Sequence, residues 1–336
     1  MNNINNKHLK IIAEIAQGYE GDLKQSKLFI KAASSAGADA VKFQLVFADE
    51  ICTKEYKYYD LFESLEMGKE EWGLLNEYSN KLGIEFIVDI FGYKSLKTAE
   101  QIGLKTVKVH ATDLTNIDLI KKISLSQIDT VILGVGGSYI NEIEDVANIL
   151  NDKKLEILLG FQGYPTKIED NNISRISFVN KKIRKIHQNF KIGFAAHPTA
   201  DDYQNIVSVT AIGSGAEVIE KHLTLGKVMK IEDYESALNP DEFYDFVKRL
   251  KASFSAYGSY NNPKLLSDSE ENYRNFARKD IVALVDIDKN TVINKNHIAL
   301  KRTGNVNAIK TLGFVIGKEL TVSLRKDQPF LKKILK

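Results

Sequence analysis

Two histidines at the ends of neighbouring apolar runs are the first residues whose type and spacing suggest chemistry. His197 closes the run that starts at Gly193, and His222 closes the run that starts at Val218. Residues Ala200 to Gly215 between them have a helical pattern, so the unit is strand, helix, strand with parallel strands. Both imidazoles then leave the same edge of one sheet. Two imidazoles at such an edge suit a mid-row divalent metal and leave coordination positions open for a substrate.

Charged and amide side chains are predicted at the same edge of the sheet. Lys42 and Gln44 share one face of their strand, Lys108 and His110 share one face of theirs, and Glu14 lies within an apolar run. A charge in a strand buried on both faces is costly unless it meets a partner or a ligand. An internal ion pair of Glu14 with either lysine would satisfy this requirement. The convergence of these groups with the histidines favours instead a metal and an anionic substrate, with the lysines as point charges for the anion.

Short β-rich runs alternate with longer amphipathic segments from Leu9 to Tyr257. Apolar strands that alternate with helices indicate parallel strands buried on both faces. Eight such units over about 250 residues are the size of a closed (β/α)8 TIM barrel, an α/β fold. An open doubly wound sheet is the alternative, and the lack of a glycine-rich phosphate motif after the first strand argues against it. The expected strands are Ile11–Ala16, Ala40–Gln44, Glu85–Ile90, Thr106–His110, Thr130–Val135, Glu156–Phe161, Gly193–His197 and Val218–His222.

The chain is expected to divide into three segments. Residues 1–257 form the barrel, 258–277 form a polar linker, and 278–336 form a small β-rich module. Within the barrel, residues 56–68 are rich in aromatic and acidic side chains, and we expect them to form a loop-like insertion. The terminal module is expected to contain short β-like runs, including those at Thr291 and from Leu312 to Leu320, and no long helix.

Composition excludes several classes of partner. The 46 Lys and Arg nearly balance the 44 Asp and Glu, and no block of one sign suggests a nucleic-acid or membrane surface. Cys52 is the single cysteine, so an intrachain disulfide is impossible. The N-terminus lacks the apolar region of a signal peptide, and no later segment is long enough to span a bilayer. We therefore expect a cytoplasmic protein with small-molecule substrates.

The order of short motifs along the chain resembles that of the sialic acid synthases. The match covers nearly the whole chain, and the combination is specific although each motif alone is modest. In the terminal module, Lys301-Arg-Thr-Gly304 resembles the antifreeze-like (SAF) domain of that family. The motifs of the barrel are Ile12-Ala-Glu-Ile15, Gly21-Asp22, Gly37-Ala-Asp-Ala-Val-Lys-Phe-Gln44, Lys108 with Asp113-Leu-Thr-Asn116, Tyr164-Pro-Thr166, Ile219-Glu-Lys-His-Leu-Thr-Leu225, and Asp233 with Ser236-Ala-Leu-Asn-Pro240.

The resemblance implies a metal-dependent condensation. Phosphoenolpyruvate would react with the open-chain aldehyde of an N-acylated hexosamine and give a sialic-acid-like 2-keto acid and phosphate. His197 and His222 would hold the metal, which is usually manganese in that family, with Mg²⁺ or Co²⁺ as alternatives. Lys42 and Lys108 would bind the carboxylate and the phosphate of phosphoenolpyruvate.

The resemblance also implies a sugar site and a dimer. Glu14, Gln44, Tyr164 and Asp233 would line the sugar site, with Glu14 and Tyr164 among the catalytic residues and Glu14 as the general base. Arg302 would reach the acyl group of the sugar from the partner subunit of a domain-swapped homodimer.

Several residues depart from the family's pattern on the phosphate side. Asp89 would turn a negative charge toward an anionic ligand, and Gln162 stands where the family has an asparagine. We expect Asp89, His110 and Gln162 to contact substrate, with His110, as an imidazolium, replacing lost donors to the phosphate. The positions at which the family's polar or hydroxyl-bearing side chains are replaced are Ala111, Gly134, Ala195 and Ala196.

Two other functions remain open on the sequence. One is a barrel lyase or aldolase that acts on a sugar or sugar acid without phosphoenolpyruvate, which the altered phosphate side favours. The other is a non-catalytic, sugar-binding homologue. The presence of Glu14, both lysines and both histidines at the expected edge argues against a protein without catalysis.

Overall fold

The computed structural model describes residues 8–160, 166–197, 203–258 and 266–336 of the chain. The chain forms two compact units, Met1–Gly258 and Ser259–Lys336. Across the ranges just given, we find no helix that is long and apolar enough to cross a bilayer.

The first unit is a closed barrel of eight parallel strands in sequential order, in which the last strand pairs with the first. This architecture confirms the predicted (β/α)8 barrel. The strands are β1 Lys10–Ala16, β2 Ala40–Gln44, β3 Glu85–Ile90, β4 Thr106–Val109, β5 Thr130–Gly134, β6 Lys154–Leu159, β7 Phe190–Ala196 and β8 Val218–His222.

Helices cover the outside of the barrel and bury one apolar face each against it. In the first of them, Phe29, Ile30 and Ala33 form the buried face, and the side chain of Asp22 caps the N-terminus by accepting from the backbone N of Gln25 at 2.7 Å. The helices are α1 Leu23–Ser35, α2 Ala48–Ile51, α3 Tyr59–Ser64, α4 Lys69–Lys81, α5 Tyr93–Gln101, α6 Ile117–Ser124, α7 Ile140–Ile149, α8 Arg175–Ile183, α9 Tyr203–Gly213 and α10 Pro240–Tyr257.

One local prediction within the barrel is wrong. Residues 56–68 were expected to form a loop-like insertion, but they contain the helix α3. The hydroxyl of Tyr59, the first residue of α3, donates to Asp49 at 2.8 Å and so ties this helix to α2. The helical stretch is short, which is why an amphipathic period is not visible in the sequence.

The inside of the barrel has an apolar layer with a charged layer above it. Six inward-facing residues form a separate apolar cluster: Ile12, Ala40, Ile87, Ile132, Leu158 and Val218. Side chains two residues further along a strand point to the same face. On β1, β2, β3 and β8 those next residues are Glu14, Lys42, Asp89 and Glu220. The barrel interior therefore changes from hydrocarbon to ionic groups toward the carboxyl ends of the strands.

The second unit has a small apolar core and more helix than the sequence suggests. Its helix α11 spans Asp268–Ala277, and β9 Asp280–Ala283 pairs antiparallel with β10 Ile298–Lys301. The prediction of a linker over 258–277 is wrong for the part that forms α11, which starts at a Ser267 cap whose hydroxyl accepts from the backbone N of Glu270 at 3.2 Å. Likeness to an SAF domain stays a prediction.

Two expected β runs of this unit are not strands. Val292 makes an isolated bridge with Glu319, and Leu312–Phe314 is a short 3-10 turn. The backbone groups of these segments bond singly to several different neighbours, so no regular ladder of hydrogen bonds forms. Ile281, Val315, Leu320 and Phe330 are buried between them.

Candidate active site

The predicted residues from six strands converge on one cavity at the carboxyl end of the barrel. The space between its lining atoms, open solvent included, is about 440 Å³. Its walls also include Glu220, which the sequence argument did not single out. The predicted residues that line it are Glu14, Lys42, Gln44, Asp89, Lys108, His110, His197, His222 and Asp233.

Lys42 is the centre of the ionic layer. Its side chain is fully buried, its Nζ contacts the carboxylate of Glu14, and it donates to Asp89 Oδ2 at 2.8 Å. Glu220 Oε2 lies 3.8 Å away. Burial alone would lower the pKa of Lys42, but the carboxylates of Asp89, Glu14 and Glu220 outweigh burial and raise it. Lys42 is therefore a permanent cation in a site with its own counterions.

Lys108 is held by a carboxylate that was missed in the sequence. Its Nζ donates to Glu220 Oε1 at 2.6 Å, and both side chains are buried. Burial opposes ionisation of Glu220, yet Lys108 and Lys42 lower the pKa of its carboxyl to about 2. Glu220 could have been predicted from the sequence, because it shares the inward face of β8 with Val218 and His222. Like Glu14 in β1, it is a carboxylate within a buried strand.

The acids outnumber the bases, so one carboxyl group keeps a proton. Glu14, Asp89 and Glu220 face only two lysines, Lys42 and Lys108. Burial, helped by the charges of Glu220 and Asp89, raises the pKa of Glu14 to about 8 against the opposing effect of Lys42. The raised pKa favours the protonated form of this carboxyl in the free site. The expected role of Glu14 as general base stays a prediction.

Asp89 differs from its expected role for a related reason. Its carboxylate accepts from Lys42 within the protein, next to Gln44 in the pairing of β2 with β3. The negative charge that was expected to face an incoming anion is thus already balanced. An anionic ligand would therefore compete with Asp89 for Lys42, and it would not face an unpaired carboxylate.

The two histidines lie together at the rim and suit a metal. The centroids of the His197 and His222 rings are 5.3 Å apart, and His222 Nδ1 is 3.9 Å from Asp233 Oδ2. Burial is the main cause that lowers the pKa of His197 to about 3 and that of His222 well below its usual value. Both imidazoles are therefore neutral, as a metal ligand must be.

The backbone around these ligand candidates is tied down. The carbonyl of His197 accepts from the backbone N of Thr166 at 3.2 Å and from the hydroxyl of Ser236 at 3.3 Å. Leu238 N donates to the carbonyl of His222 at 3.0 Å. Over residues 8–160, 166–197, 203–258 and 266–336, no group of three or more His, Cys, Asp or Glu side chains is disposed to hold a metal. A metal at the histidine pair would need further ligands besides the two imidazoles.

His110 also lines the cavity. Its Nδ1 lies 2.9 Å from Thr112 Oγ1, and burial, with help from Lys108, lowers the pKa of the ring to about 4 despite the charge of Asp89. This shift favours the neutral ring in the free site, and the imidazolium expected opposite a bound phosphate stays a prediction. His110 offers a neutral ring with hydrogen-bonding capacity and no charge.

The side of the cavity at which the sequence analysis expects a phosphate is lined by small residues without hydroxyl groups. Ala111, Gly134 and Ala195 all face it, and Ala196 is buried without contributing to the lining. A Cβ on Gly134 would lie 3.1 Å from the backbone N of Ala111 and 3.4 Å from Lys108 Cε. Glycine at this position therefore gives the Lys108 side chain room to cross the cavity toward Glu220.

Three predicted residues lie outside this cavity or outside the described part of the chain. Gln162 and Tyr164 fall between residues 160 and 166, which are not described. Arg302 belongs to the second unit, where its Nε donates to the carbonyl of Ala277 at 2.8 Å. The roles given to these three residues stay predictions.

The fold and the site together define a (β/α)8-barrel enzyme with its reactive groups at the carboxyl rim of the strands, where barrel enzymes carry their active sites. The pattern of the NeuB family matches residues 29–262, well over half of the chain. The chain belongs to the NeuB family.

Several proteins with assigned products are similar over nearly their whole length. The N,N'-diacetyllegionaminic acid synthase of Legionella pneumophila is 28% identical, with 94% of this chain and 91% of that protein aligned. The human N-acetylneuraminate-9-phosphate synthase is 24% identical over 97% of this chain and 92% of its own. The crystal structure of an N-acetylneuraminic acid synthetase from Leptospira borgpetersenii has a TM-score of 0.73 at 30% identity and covers 83% of this chain and 96% of that one.

The ion pair of Lys108 and Glu220 predicts a large stability effect. In Glu220→Gln the buried Lys108 loses its counterion, so we expect the free energy of unfolding of the barrel to fall by about 3 kcal/mol or more. Urea denaturation followed by the fluorescence of Trp72, the single tryptophan, reports on the barrel unit. The exposed Glu55→Gln is the matched control and should change little. A loss below about 1 kcal/mol in Glu220→Gln would contradict the proposed dependence of Lys108 on Glu220.

Proposed function

We propose that this protein is a nonulosonic acid synthase, which forms a carbon–carbon bond between phosphoenolpyruvate and the aldehyde of an N-acylated hexosamine. The observation that carries the proposal is the convergence of two buried lysines, the buried carboxyl of Glu14 and two buried histidines on one rim cavity. Its products would be a sialic-acid-like 2-keto acid and phosphate. The names of the legionaminic and sialic acid relatives support this reaction class.

A divalent metal, with manganese as first choice and Mg²⁺ or Co²⁺ as alternatives, is part of the proposal. His197 and His222 would hold it, since both rings are neutral and adjacent. When bound, it would polarise the aldehyde carbonyl and add positive charge to the site. That charge matters because Lys42 and Lys108 are balanced by Asp89 and Glu220, so the free cavity offers an anion little net attraction.

The protein's own groups have distinct tasks in this reaction. Lys42 and Lys108 orient the carboxylate and phosphate of phosphoenolpyruvate by exchanging part of their internal ion pairs for the ligand. The methylene carbon of phosphoenolpyruvate then attacks the aldehyde carbon, and the aldehyde oxygen becomes a hydroxyl. Glu14, which is protonated at neutral pH, supplies that proton. Water then adds to the former enol carbon and returns one proton to the Glu14 carboxylate. The bond from this carbon to the phosphate oxygen breaks, the second proton of the water leaves with phosphate, and the carbon becomes the ketone of the 2-keto acid.

A second candidate function keeps the barrel and changes the donor. Ala111, Gly134 and Ala195 offer no hydroxyl to a phosphate, and Lys42 is engaged by Asp89. These features favour a lyase or aldolase that acts on a sugar or sugar acid without phosphoenolpyruvate. Each missing hydrogen bond to a charged phosphate is worth about 1.5–3 kcal/mol.

Incubation with phosphoenolpyruvate, manganese and a panel of N-acylated hexosamines tests the proposed function. We expect release of phosphate together with a 2-keto acid for at least one member of the panel. In a parallel incubation with a sialic-acid-like compound and no phosphoenolpyruvate, cleavage of that compound would instead support the aldolase. Phosphoenolpyruvate left unchanged with every acceptor would overturn the synthase.

The metal is tested by a separate measurement, the melting temperature. Manganese should raise the melting temperature of the wild type through binding linkage, and His222→Ala should remove that shift while keeping a cooperative transition. An equal manganese shift in the variant would show that the two histidines are not the ligands.

The pKa of Glu14 predicts the alkaline side of the pH profile. Because the protonated carboxyl is the active form in this proposal, kcat/KM should fall tenfold per unit above about pH 8. Glu14→Gln should be slower by roughly a hundredfold or more and should lack this limb. Asp233→Asn, a change in the same cavity, should keep it. A profile in which activity rises through pH 8 would return Glu14 to the role of a base.

We also propose that Arg302 acts in the partner subunit of a domain-swapped homodimer. Support comes from the Lys301-Arg-Thr-Gly304 motif and from the exposed position of Arg302 on its unit. Mixed dimers of inactive Arg302→Ala and inactive His222→Ala chains should recover activity at one of their two sites. If such dimers form and stay inactive, Arg302 does not act across the dimer.

A further inference from the structure

A second cavity opens beside the active-site cavity and shares two walls with it. The space between its lining atoms, open solvent included, is about 720 Å³, and Gln44 and His110 line both cavities. The two cavities are therefore neighbours, and a molecule bound at the lysines and histidines would reach the second one by passing these two side chains. The second cavity is where the far end of an acceptor would lie.

The walls of this outer cavity combine amide, apolar and acidic groups. Gln17 Nε2 donates to Gln44 Oε1 at 2.9 Å, which forms an amide pair between β1 and β2. Ile51, Phe62 and Phe91 supply an apolar surface. Amide and apolar groups together suit hydroxyl, acylamino and methyl substituents of a sugar.

Two carboxylates give this cavity a negative field. Glu50 accepts from the backbone N of Lys94 and from that of Ser95, the latter at 3.0 Å, and so is fixed at the N-terminus of α5. Asp113 accepts from the hydroxyl of Thr112 at 2.8 Å. Burial raises the pKa of Asp113 against the opposing hydrogen bonds from Thr112 and Asn116, and the charge of Glu50 makes a smaller contribution in the same direction as burial.

The outer cavity has no positive counterpart among the lining residues that the structure describes. The cations of the neighbouring segments point to other partners. Lys94 Nζ lies 3.7 Å from the centroid of the Phe47 ring and 4.0 Å from Glu66 Oε2, and Lys57 Nζ lies 4.3 Å from the centroid of Tyr58. The two cavities therefore differ in one respect: the carboxylates of the inner cavity have the partners Lys42 and Lys108, whereas no lysine or arginine is among the described residues that line the outer cavity.

We propose that the outer cavity selects an acceptor sugar without a phosphate at its far end. This inference rests on the proposed function and specifies its second substrate. A phosphate dianion next to Glu50 and Asp113 would meet two like charges in a partly desolvated space, whereas hydroxyl, acylamino and methyl groups would meet the amide pair and the apolar wall. Among the relatives, the human protein is named for a 9-phosphate product and the Legionella protein for one without phosphate.

The test compares each N-acylated hexosamine of the panel with its own 6-phosphate, with 2-keto acid formation as the readout. For the wild type, kcat/KM should be higher for the uncharged sugar by on the order of a hundredfold. Glu50→Gln removes one charge and keeps one of the two hydrogen bonds to the start of α5, because the two backbone N–H groups donate to different oxygens of Glu50 and glutamine has a single acceptor oxygen. It should lower this ratio by about tenfold, through a smaller KM for the 6-phosphate. Glu63→Gln, an exposed change in α3, is the matched control and should leave the ratio unchanged.

The outcomes separate this inference from the proposed function. If 2-keto acid forms and the 6-phosphate is used as well as or better than the uncharged sugar, the synthase stands and the selectivity is overturned. An unchanged ratio in Glu50→Gln would also overturn it. If no acceptor gives product, the proposed function fails, and calorimetry with both sugars decides the selectivity. Tighter binding of the uncharged sugar supports the selectivity, and tighter binding of the 6-phosphate, or of neither, overturns it.

Discussion

The burial of two lysines in the upper layer of the barrel is the constraint on which the rest of the site depends. Lys42 and Lys108 lie above an apolar layer and have almost no access to solvent. Charges in such a place need partners, and Asp89 and Glu220 provide them at hydrogen-bond distance. A third acid, Glu14, exceeds the number of lysines and keeps its proton near neutral pH.

This charge balance connects the structure to the proposed chemistry. The lysines are preorganised by their counterions, so their Nζ atoms stay aimed into the cavity before a ligand arrives. The same counterions reduce the net attraction for an anion, and a metal at the neutral histidine pair would make up the difference. The outer cavity has no lysine or arginine among its described lining residues, and Glu50 and Asp113 face it together with apolar side chains. One molecule would thus meet a site for an anion at one end and a site for uncharged groups at the other.

The sequence and the structure agree best where periodicity is strong. Alternation within β2 and β4 correctly predicted that Lys42 and Lys108 share the interior with Glu14. The same alternation in β8 places Glu220 on the inward face together with Val218 and His222, so its position in the interior could have been predicted as well. The short helices α3 and α11 were missed, since each is stabilised by local contacts and caps more than by a long amphipathic period.

What the sequence determined by itself was the barrel, the set of polar residues at its carboxyl rim and the family. These follow from patterns that repeat over a few residues, so a linear reading contains them. The protonation states of Glu14 and His110 and the pairing of Asp89 with Lys42 were decided only by the tertiary structure. A pKa depends on burial and on charges from other strands, and those distances exist only after the barrel has closed.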